Sequence, residues 1–177
     1  EGDGTAMLLP SPEFKITYGI DFEHPLIRQQ SYDMTFSDVA YERDICQART
    51  FGFLKDVEYL QAKGLALGGS LRNAVVLDER RVINKEGLRC HDEFVKHKIL
   101  DAIGDLSLLG VPIIGHFVAY KSGHRLNNLL LKELMAHQEC WKMVSHIDRN
   151  GDEDEFKSLS IPSFSILDTV NAPLPVA

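Results

Sequence analysis

The sequence has 177 residues, 44% of them apolar and 25% charged, which suits one globular domain able to bury a core. The net charge of −7 leaves no basic field for nucleic acid, so an anionic substrate would need local lysine or arginine groups. The three cysteines form no CxxC pair, and no run of about 18 apolar residues could cross a membrane. These features predict a cytoplasmic protein with reduced thiols and without a transmembrane segment.

Short elements are predicted in the first half of the chain. Alternating apolar and polar residues predict four strands, the last two as a hairpin, at 13–22, 30–36, 73–78 and 81–84. Ser37 can cap a short helix that ends near Cys46. A second short helix fits 54–63, where Gly64 follows in the position that favours positive φ.

The second half predicts two long helices with a strand between them. The first helix spans 91–110 and ends at Gly110 before Pro112. Its apolar stripe consists of Val95, Ile99, Ala102, Ile103, Leu106 and Leu109. Residues 111–120 predict a β-strand, and the second helix is predicted over 124–144. Its stripe consists of Leu126, Leu130, Leu134, His137, Trp141 and Val144.

The chain changes character after Val144. Residues 145–177 contain six acidic and two basic residues, a net charge of −4, and end in proline and small residues. This composition predicts an acidic C-terminal tail on the surface, with residues 163–170 laid down as an extended segment.

Three polar residues of the first long helix are spaced for chemistry. His97, Asp101 and Asp105 recur at intervals of four, which places them on one helix face away from the apolar stripe. His97 and Asp101, one turn apart, could bind one Zn²⁺ through an imidazole nitrogen and a carboxylate oxygen. The spacing alone also fits an ordinary solvated ion pair, so it leaves both interpretations open.

A further histidine is predicted at a helix N-terminus. Residues 121–124 lie where the predicted strand gives way to the second long helix, which puts His124 beside free backbone N–H groups. A histidine in this position can act as a general acid or bind an oxyanion. A surface histidine on a flexible loop is the alternative.

Four motifs resemble one enzyme family. The segments RTFGF at 49–53, GLALGGS at 64–70, DEFVKHKILDAIGDL at 92–106 and YKSGH…NN at 120–128 occur in the order and spacing of that family. The chain therefore resembles the zinc-dependent UDP-3-O-acyl-N-acetylglucosamine deacetylases, which act in lipid A synthesis in Gram-negative bacteria. The resemblance covers roughly residues 8–144.

The resemblance implies catalytic roles for individual residues. It implies that His97 and Asp101 are two of three protein ligands of Zn²⁺. It implies that His124 is the catalytic histidine, oriented by Asp105, and that Thr50 helps to bind the oxyanion of the tetrahedral intermediate.

The resemblance also implies how the substrate, UDP-3-O-acyl-N-acetylglucosamine, is bound. Lys98 would face the negatively charged nucleotide part. Residues that would enclose the fatty acyl chain belong to an insert and comprise Phe51, Leu54, Val57, Ala66, Ser70, Leu71, Ala74 and Val76. An ordinary hydrophobic core segment is the alternative for about half of them.

One part of the family pattern is missing from the sequence. In the family, a histidine on a helix of the first domain is the third zinc ligand, and the adjacent glutamate is the general base. The dipeptide Glu23-His24 is followed by Pro25, which disfavours a helix. The N-terminal domain is therefore expected to be absent, so that the chain carries only part of the site and is inactive alone.

The predicted fold is α+β, a mostly antiparallel sheet covered by two long helices with a small βαβ-like insert. Residues 1–144 would form the second domain of the deacetylase with the insert at about 50–90, and 145–177 the tail. A non-catalytic module that binds an acyl chain or a nucleotide sugar is the alternative function. A purely structural interaction domain is a third interpretation.

Overall fold

The computed structural model describes residues 3–144 and 164–165. Its strands are β1 Thr5–Leu9, β2 Lys15–Ile20, β3 Gln30–Thr35, β4 Thr50–Phe53, β5 Ala74–Leu77, β6 His116–Tyr120 and β7 Phe164–Ser165. Its α-helices are α1 Asp38–Ala40, α2 Leu54–Ala62, α3 Glu93–Leu106 and α4 His124–Ala136. Single turns of other helix types follow α1, α3 and α4 at Tyr41–Ile45 (π), Ser107–Leu109 (3₁₀) and Gln138–Cys140 (3₁₀). The mixed α+β class predicted from the sequence is confirmed.

The larger sheet has the strand order β3-β2-β6-β1-β7. The β2–β6 pair is parallel, and the other three pairs are antiparallel. The first strand, β1, pairs with β6, with Thr5 opposite Tyr120 and Leu9 opposite His116. The end of β6 is thereby fixed next to the start of α4, where His124 lies.

One face of this sheet forms the core with the helices. On β2 the buried residues alternate along the strand as Ile16, Tyr18 and Ile20, which is the period of a strand with one covered face. Helix α3 contacts β2 and β3, α4 contacts β1, and the two helices contact each other. The buried helical residues of this core are Phe94, Val95, Ile99, Ala102, Leu106, Leu130 and Leu131. The apolar stripe of α3 is therefore turned toward the sheet, which leaves its polar stripe outside.

A small βαβ unit stands beside the main sheet. Strands β4 and β5 pair in parallel with Thr50 opposite Ala74 and Phe53 opposite Leu77, and α2 lies between them in the chain. The ring of Phe22, just after β2, contacts the rings of Phe51 and Phe53 edge-on at 5.6 and 6.4 Å. These contacts join the unit to the main sheet.

Several predicted boundaries differ from the structure. The strand predicted over 111–120 begins only at His116, and the second strand of the hairpin is reduced to one bridge between Leu77 and Val82. The predicted helix 124–144 is wrong beyond Ala136, and Val144 is 47% exposed. No element was predicted for β1.

Predicted helix ends hold at two positions. Ser37 caps α1, since its Oγ accepts a hydrogen bond from the Ala40 N–H at 3.1 Å. Gly110 ends the turn after α3 with φ of 73°, a left-handed conformation that glycine adopts without strain. Among the helices of the described residues, none has the length and apolar character that a bilayer crossing requires.

The predicted acidic tail 145–177 lies outside the described residues except for Phe164–Ser165. This pair forms β7, which extends the sheet beside β1. The predicted extended segment 163–170 is described only at these two positions.

Candidate active site

Helix α3 carries the polar face on which the candidate site is built. His97 Nε2 lies 3.2 Å from Asp101 Oδ1, one turn further along the helix. Lys98 Nζ donates to the other oxygen of this carboxylate, Oδ2, at 2.9 Å. Burial raises the pKa of Asp101, but hydrogen bonds from His97 and Lys98 outweigh it and lower the pKa to about 2. The carboxylate is therefore ionised at neutral pH, as a metal ligand must be.

The orientation of His97 is set from outside the helix. Its Nδ1 lies 3.2 Å from the backbone oxygen of Ala48, and because a carbonyl oxygen only accepts, Nδ1 must carry the proton. A proton on Nε2 lets the ring donate to Asp101 Oδ1 at 3.2 Å, and without it two acceptors would face each other. A proton or a cation is required between them. The donor set, an imidazole nitrogen and a carboxylate backed by a carbonyl, fits Zn²⁺.

His124 approaches the same face from the N-terminus of α4. Its Nδ1 lies 2.9 and 3.0 Å from the two carboxylate oxygens of Asp105, so this nitrogen donates to Asp105. Nε2, on the other side of the ring, points away from Asp105. Nε2 lies 3.9 Å from Asp101 Oδ2, and the side chain is 69% exposed. An accessible imidazole nitrogen thus stands beside the candidate metal ligands.

Asp105 is itself held by a chain of hydrogen bonds that reaches the core. Asn127 Nδ2 donates to Asp105 Oδ2 at 2.8 Å, and Ser122 Oγ donates to Asn127 Oδ1 at 2.6 Å. The hydroxyl of Tyr18, in the centre of the sheet, donates to the Ser122 carbonyl at 2.7 Å. Asn127 and Tyr18 are completely buried. This network fixes the carboxylate that orients His124.

The sequence alone did not identify the members of this network. Tyr18 is one of several apolar positions of a strand, and Ser122 and Asn127 occur only within a quoted motif. The signal that could have identified them is a polar side chain at a position that the apolar period of its element predicts to be buried. Such a side chain needs a hydrogen-bond partner, so it points to a buried network.

Thr50 and Phe51 begin strand β4 beside the site. Thr50 is exposed and lies two residues after Ala48, whose carbonyl contacts His97. The ring of Phe51 stands edge-on to the His97 ring at 6.2 Å and to Phe94 at 5.0 Å. The structure thus brings Thr50 and Phe51 to the His97 end of the site.

The remaining residues predicted to contact an acyl chain lie on the βαβ unit and its loop. Leu54 is 36% and Leu71 45% exposed, while Val76 is buried. Val57 and Ala74 are half-buried, and Ala66 and Ser70 are exposed. Other exposed apolar side chains of the same unit are Tyr59, Leu65 and Leu67. The unit therefore presents an apolar surface.

The chain offers two candidates for the three metal ligands that the resemblance implies. Within residues 3–144 and 164–165, no group of three or more His, Cys, Asp or Glu side chains could hold a metal ion. His24 of the Glu23-His24 dipeptide is engaged elsewhere, with Nε2 donating to the Asp78 carbonyl at 2.9 Å and its ring 5.0 Å from that of Phe53. His97 and Asp101 thus form a partial donor set.

Known proteins give an independent view of this chain. The profile of the family described as UDP-3-O-acyl N-acetylglycosamine deacetylase matches residues 1–136. A UDP-3-O-acyl-N-acetylglucosamine deacetylase of Syntrophus aciditrophicus is 62% identical over an alignment that covers 97% of this chain and 56% of that protein. Proteins of the same name from Wolinella succinogenes and Myxococcus xanthus are 52% and 55% identical, with 91% and 81% of this chain covered.

These relatives are longer than the chain. The alignments cover 56%, 52% and 46% of the three proteins, so the chain spans about half the length of the curated relatives it matches. The match extends over both α3 and α4 and includes every residue of the candidate site. The chain belongs to the UDP-3-O-acyl-N-acetylglucosamine deacetylase family.

Proposed function

We propose that this chain supplies part of the active site of a zinc-dependent hydrolase. The enzyme would remove the N-acetyl group of UDP-3-O-acyl-N-acetylglucosamine during lipid A synthesis in the cytoplasm of Gram-negative bacteria. The observation that carries the proposal is that His97, Asp101 and Asp105 on one face of α3 lie beside His124 at the N-terminus of α4. The relatives, which are UDP-3-O-acyl-N-acetylglucosamine deacetylases by name, support the substrate and the reaction.

The metal would be held by His97 Nε2 and the Asp101 carboxylate. Bound zinc would supply Lewis-acid activation of the acetamide carbonyl and of water. The third ligand, a histidine, and the general base, a glutamate, would come from the part of the enzyme that this chain does not cover, as the family resemblance implies. The ionised state of Asp101 at neutral pH supports its role.

His124 would donate a proton to the departing amine as the C–N bond of the acetamide breaks. Asp105 accepts the Nδ1 hydrogen bond, so the proton available for transfer lies on Nε2, the exposed nitrogen. The same carboxylate would stabilise the positive charge of the imidazolium. Thr50, at the His97 end of the site, would help to bind the oxyanion that develops on the carbonyl.

The rest of the substrate would extend over surfaces of this chain. Lys98, with 16% of its side chain exposed, would face the anionic nucleotide part. The apolar surface of the βαβ unit, with Phe51, Leu54, Val57 and Leu71, would receive the acyl chain. In this proposal, residues 1–144 form the second domain of the enzyme, 50–90 its acyl-chain insert and 145–177 an acidic tail.

The test separates metal binding from proton transfer in the complete protein, meaning this chain together with the part that its relatives have in addition. Asp101→Ala is expected to lose zinc and activity, because a ligand is removed. His124→Ala is expected to keep zinc and lose about 10²–10⁴-fold in kcat. His137→Ala, beyond the end of α4, is the matched control and should retain both.

Each outcome has one interpretation. Equal zinc content in Asp101→Ala and His124→Ala would contradict the division of roles. Substrate binding without any acetate release by the unsubstituted complete protein would favour a binding module instead of an enzyme.

A further inference from the structure

A buried ion pair, formed by Arg49 and Glu93, lies one turn of α3 away from His97. Arg49 is 5% exposed and Glu93 is completely buried. The guanidinium donates to both carboxylate oxygens, from Nε to Oε1 at 2.9 Å and from Nη2 to Oε2 at 3.1 Å. Nη1 donates to Glu86 Oε1 and Nη2 also to the Gly87 carbonyl, both at 2.8 Å. The Arg89 N–H donates to Glu93 Oε2 at 2.7 Å.

This pair connects to His97 through a single peptide group. The backbone N–H of Arg49 donates to Glu93 Oε1 at 3.1 Å. The carbonyl of the same peptide, that of Ala48, accepts the hydrogen bond from His97 Nδ1 at 3.2 Å. Because a peptide is planar and rigid, fixing its N–H also fixes the direction of its carbonyl.

The geometry on α3 makes the connection direct. Glu93 and His97 are one helical turn apart, so the Ala48–Arg49 peptide spans the two side chains along the helix surface. The Arg49 side chain and the Arg49 backbone N–H both donate to the Glu93 carboxylate, so the peptide and the side chain are held by one group. Rotation of this peptide would break both backbone contacts at once.

We propose that Arg49 and Glu93 are positioning residues for the metal site. Through the Ala48–Arg49 peptide they hold a carbonyl against His97 Nδ1, which fixes the proton there and presents the Nε2 lone pair beside Asp101. The inference rests on the proposed function, because it assumes that His97 binds the metal. It adds a role to two residues that touch neither metal nor substrate.

A purely structural role makes a different prediction. Replacing a buried ion pair by apolar residues of similar size is often neutral or stabilising, so the pair is not required for a folded protein. Loss of an outer hydrogen-bond partner of a metal-binding histidine, in contrast, typically weakens metal affinity by about 10–100-fold. Arg49→Met combined with Glu93→Leu separates the two roles.

The experiment measures zinc affinity by chelator competition and thermal stability, in the complete protein. The double variant is expected to remain folded, at a lower melting temperature because the Arg49 and Arg89 N–H groups lose their acceptor, and to bind zinc about 10–100-fold more weakly. Arg43→Met is the matched control, since Arg43 pairs with Asp44 on the surface with 69% of its side chain exposed, and it should leave zinc affinity unchanged. A folded double variant with wild-type zinc affinity would overturn the inference.

A second measurement does not depend on the double variant being folded. In the zinc-loaded wild-type protein, ¹⁵N NMR of the His97 ring is expected to detect a slowly exchanging proton on Nδ1 and none on Nε2. A fast-exchanging or absent Nδ1 proton would overturn the inference, whereas a proton on Nε2 would contradict the proposed zinc ligand itself.

The two levels of proposal fail differently. If Asp101→Ala leaves zinc affinity unchanged, the proposed metal site is wrong. If Asp101→Ala loses zinc while the folded double variant keeps it, only the role of Arg49 and Glu93 is wrong.

Discussion

Asp105 accepts the Nδ1 hydrogen bond of His124 at 2.9 Å across the contact between α3 and α4. The carboxylate lies in the last turn of α3 and the imidazole in the first turn of α4. The packing of the two helices against the sheet therefore determines the geometry of this pair. The Asn127 side chain adds a third contact from within α4 at 2.8 Å.

Asp105→Asn tests the electrostatic part of this contact. Asparagine can still accept a hydrogen bond from His124 Nδ1 but cannot stabilise the imidazolium by charge. We expect kcat of the complete protein to fall by about 10²–10⁴-fold, with zinc content unchanged. Steady-state kinetics and metal analysis check this. Wild-type kcat in the variant would show that Asp105 only packs against His124.

The zinc affinity of the chain alone is a second prediction. With His97 and Asp101 as a two-residue candidate site, and no group of three or more potential ligands in residues 3–144 and 164–165, zinc should dissociate during dialysis. Addition of the part of the relatives that this chain does not cover, in the same chain or as a separate one, should give tight binding and activity. Stoichiometric zinc that survives dialysis of the chain alone would contradict this prediction.

The pH dependence of stability follows from Glu93. Burial raises its pKa, but hydrogen bonds from Arg49 and from the Arg89 N–H outweigh it and hold the pKa below its ordinary 4.5. A lowered pKa in the folded state contributes stability above 4.5, and this contribution is lost as the pH falls through the folded-state pKa. The ion pair should therefore stabilise the protein at neutral pH and less in acid.

Urea unfolding between pH 7 and pH 3 checks this sign. Glu93→Gln should cost roughly 3–5 kcal/mol at pH 7, because the buried Arg49 loses its buried counterion and keeps only the exposed Glu86. The difference from wild type should narrow below pH 4.5. Glu58→Gln, on the exposed surface of α2, is the control and should behave as wild type. A constant difference at all pH values would exclude the charge of Glu93 as the cause.

Helix α3 could be predicted because its apolar and polar residues both recur with the helical period of about 3.6 residues. Val95 and Ile99 recur as the buried side while His97 and Asp101 recur as the polar side, and both patterns depend only on helix geometry. The contact of His124 with this polar side is tertiary, and only the family resemblance indicated it.

The elements that the sequence did not predict depend on distant contacts. β1 is a short run of mixed residues whose partner, β6, lies more than a hundred residues away, as in the pair Thr5 and Tyr120.

The apolar period of α4 continues to Trp141, although the helix ends at Ala136. The Trp141 indole donates to the Leu134 carbonyl at 2.8 Å and so satisfies one of the last carbonyls of the helix. Trp141 therefore fits the apolar period of α4 although it lies beyond the end of the helix.

The exposed apolar surface of the βαβ unit gives the last prediction, for substrate binding. Leu71 is 45% exposed there, and an acyl chain that covers it would remove apolar surface from water. We expect Leu71→Gln to raise KM about 5- to 30-fold for a long-acyl substrate, which corresponds to about 1–2 kcal/mol of lost burial. A substrate analogue with a short acyl group should be affected little, because it would not reach the leucine.

The control for this prediction is Val39→Gln. Val39 is 70% exposed on α1, outside the βαβ unit, so its substitution changes surface polarity without touching the proposed acyl surface. Kinetics with long- and short-acyl substrates distinguish the outcomes, since only contact with the acyl chain makes the effect of Leu71→Gln depend on chain length. An equal rise in KM for both substrates would show that Leu71→Gln disturbs the structure of the loop and not a contact with the acyl chain. An unchanged KM for both would exclude this surface from acyl binding.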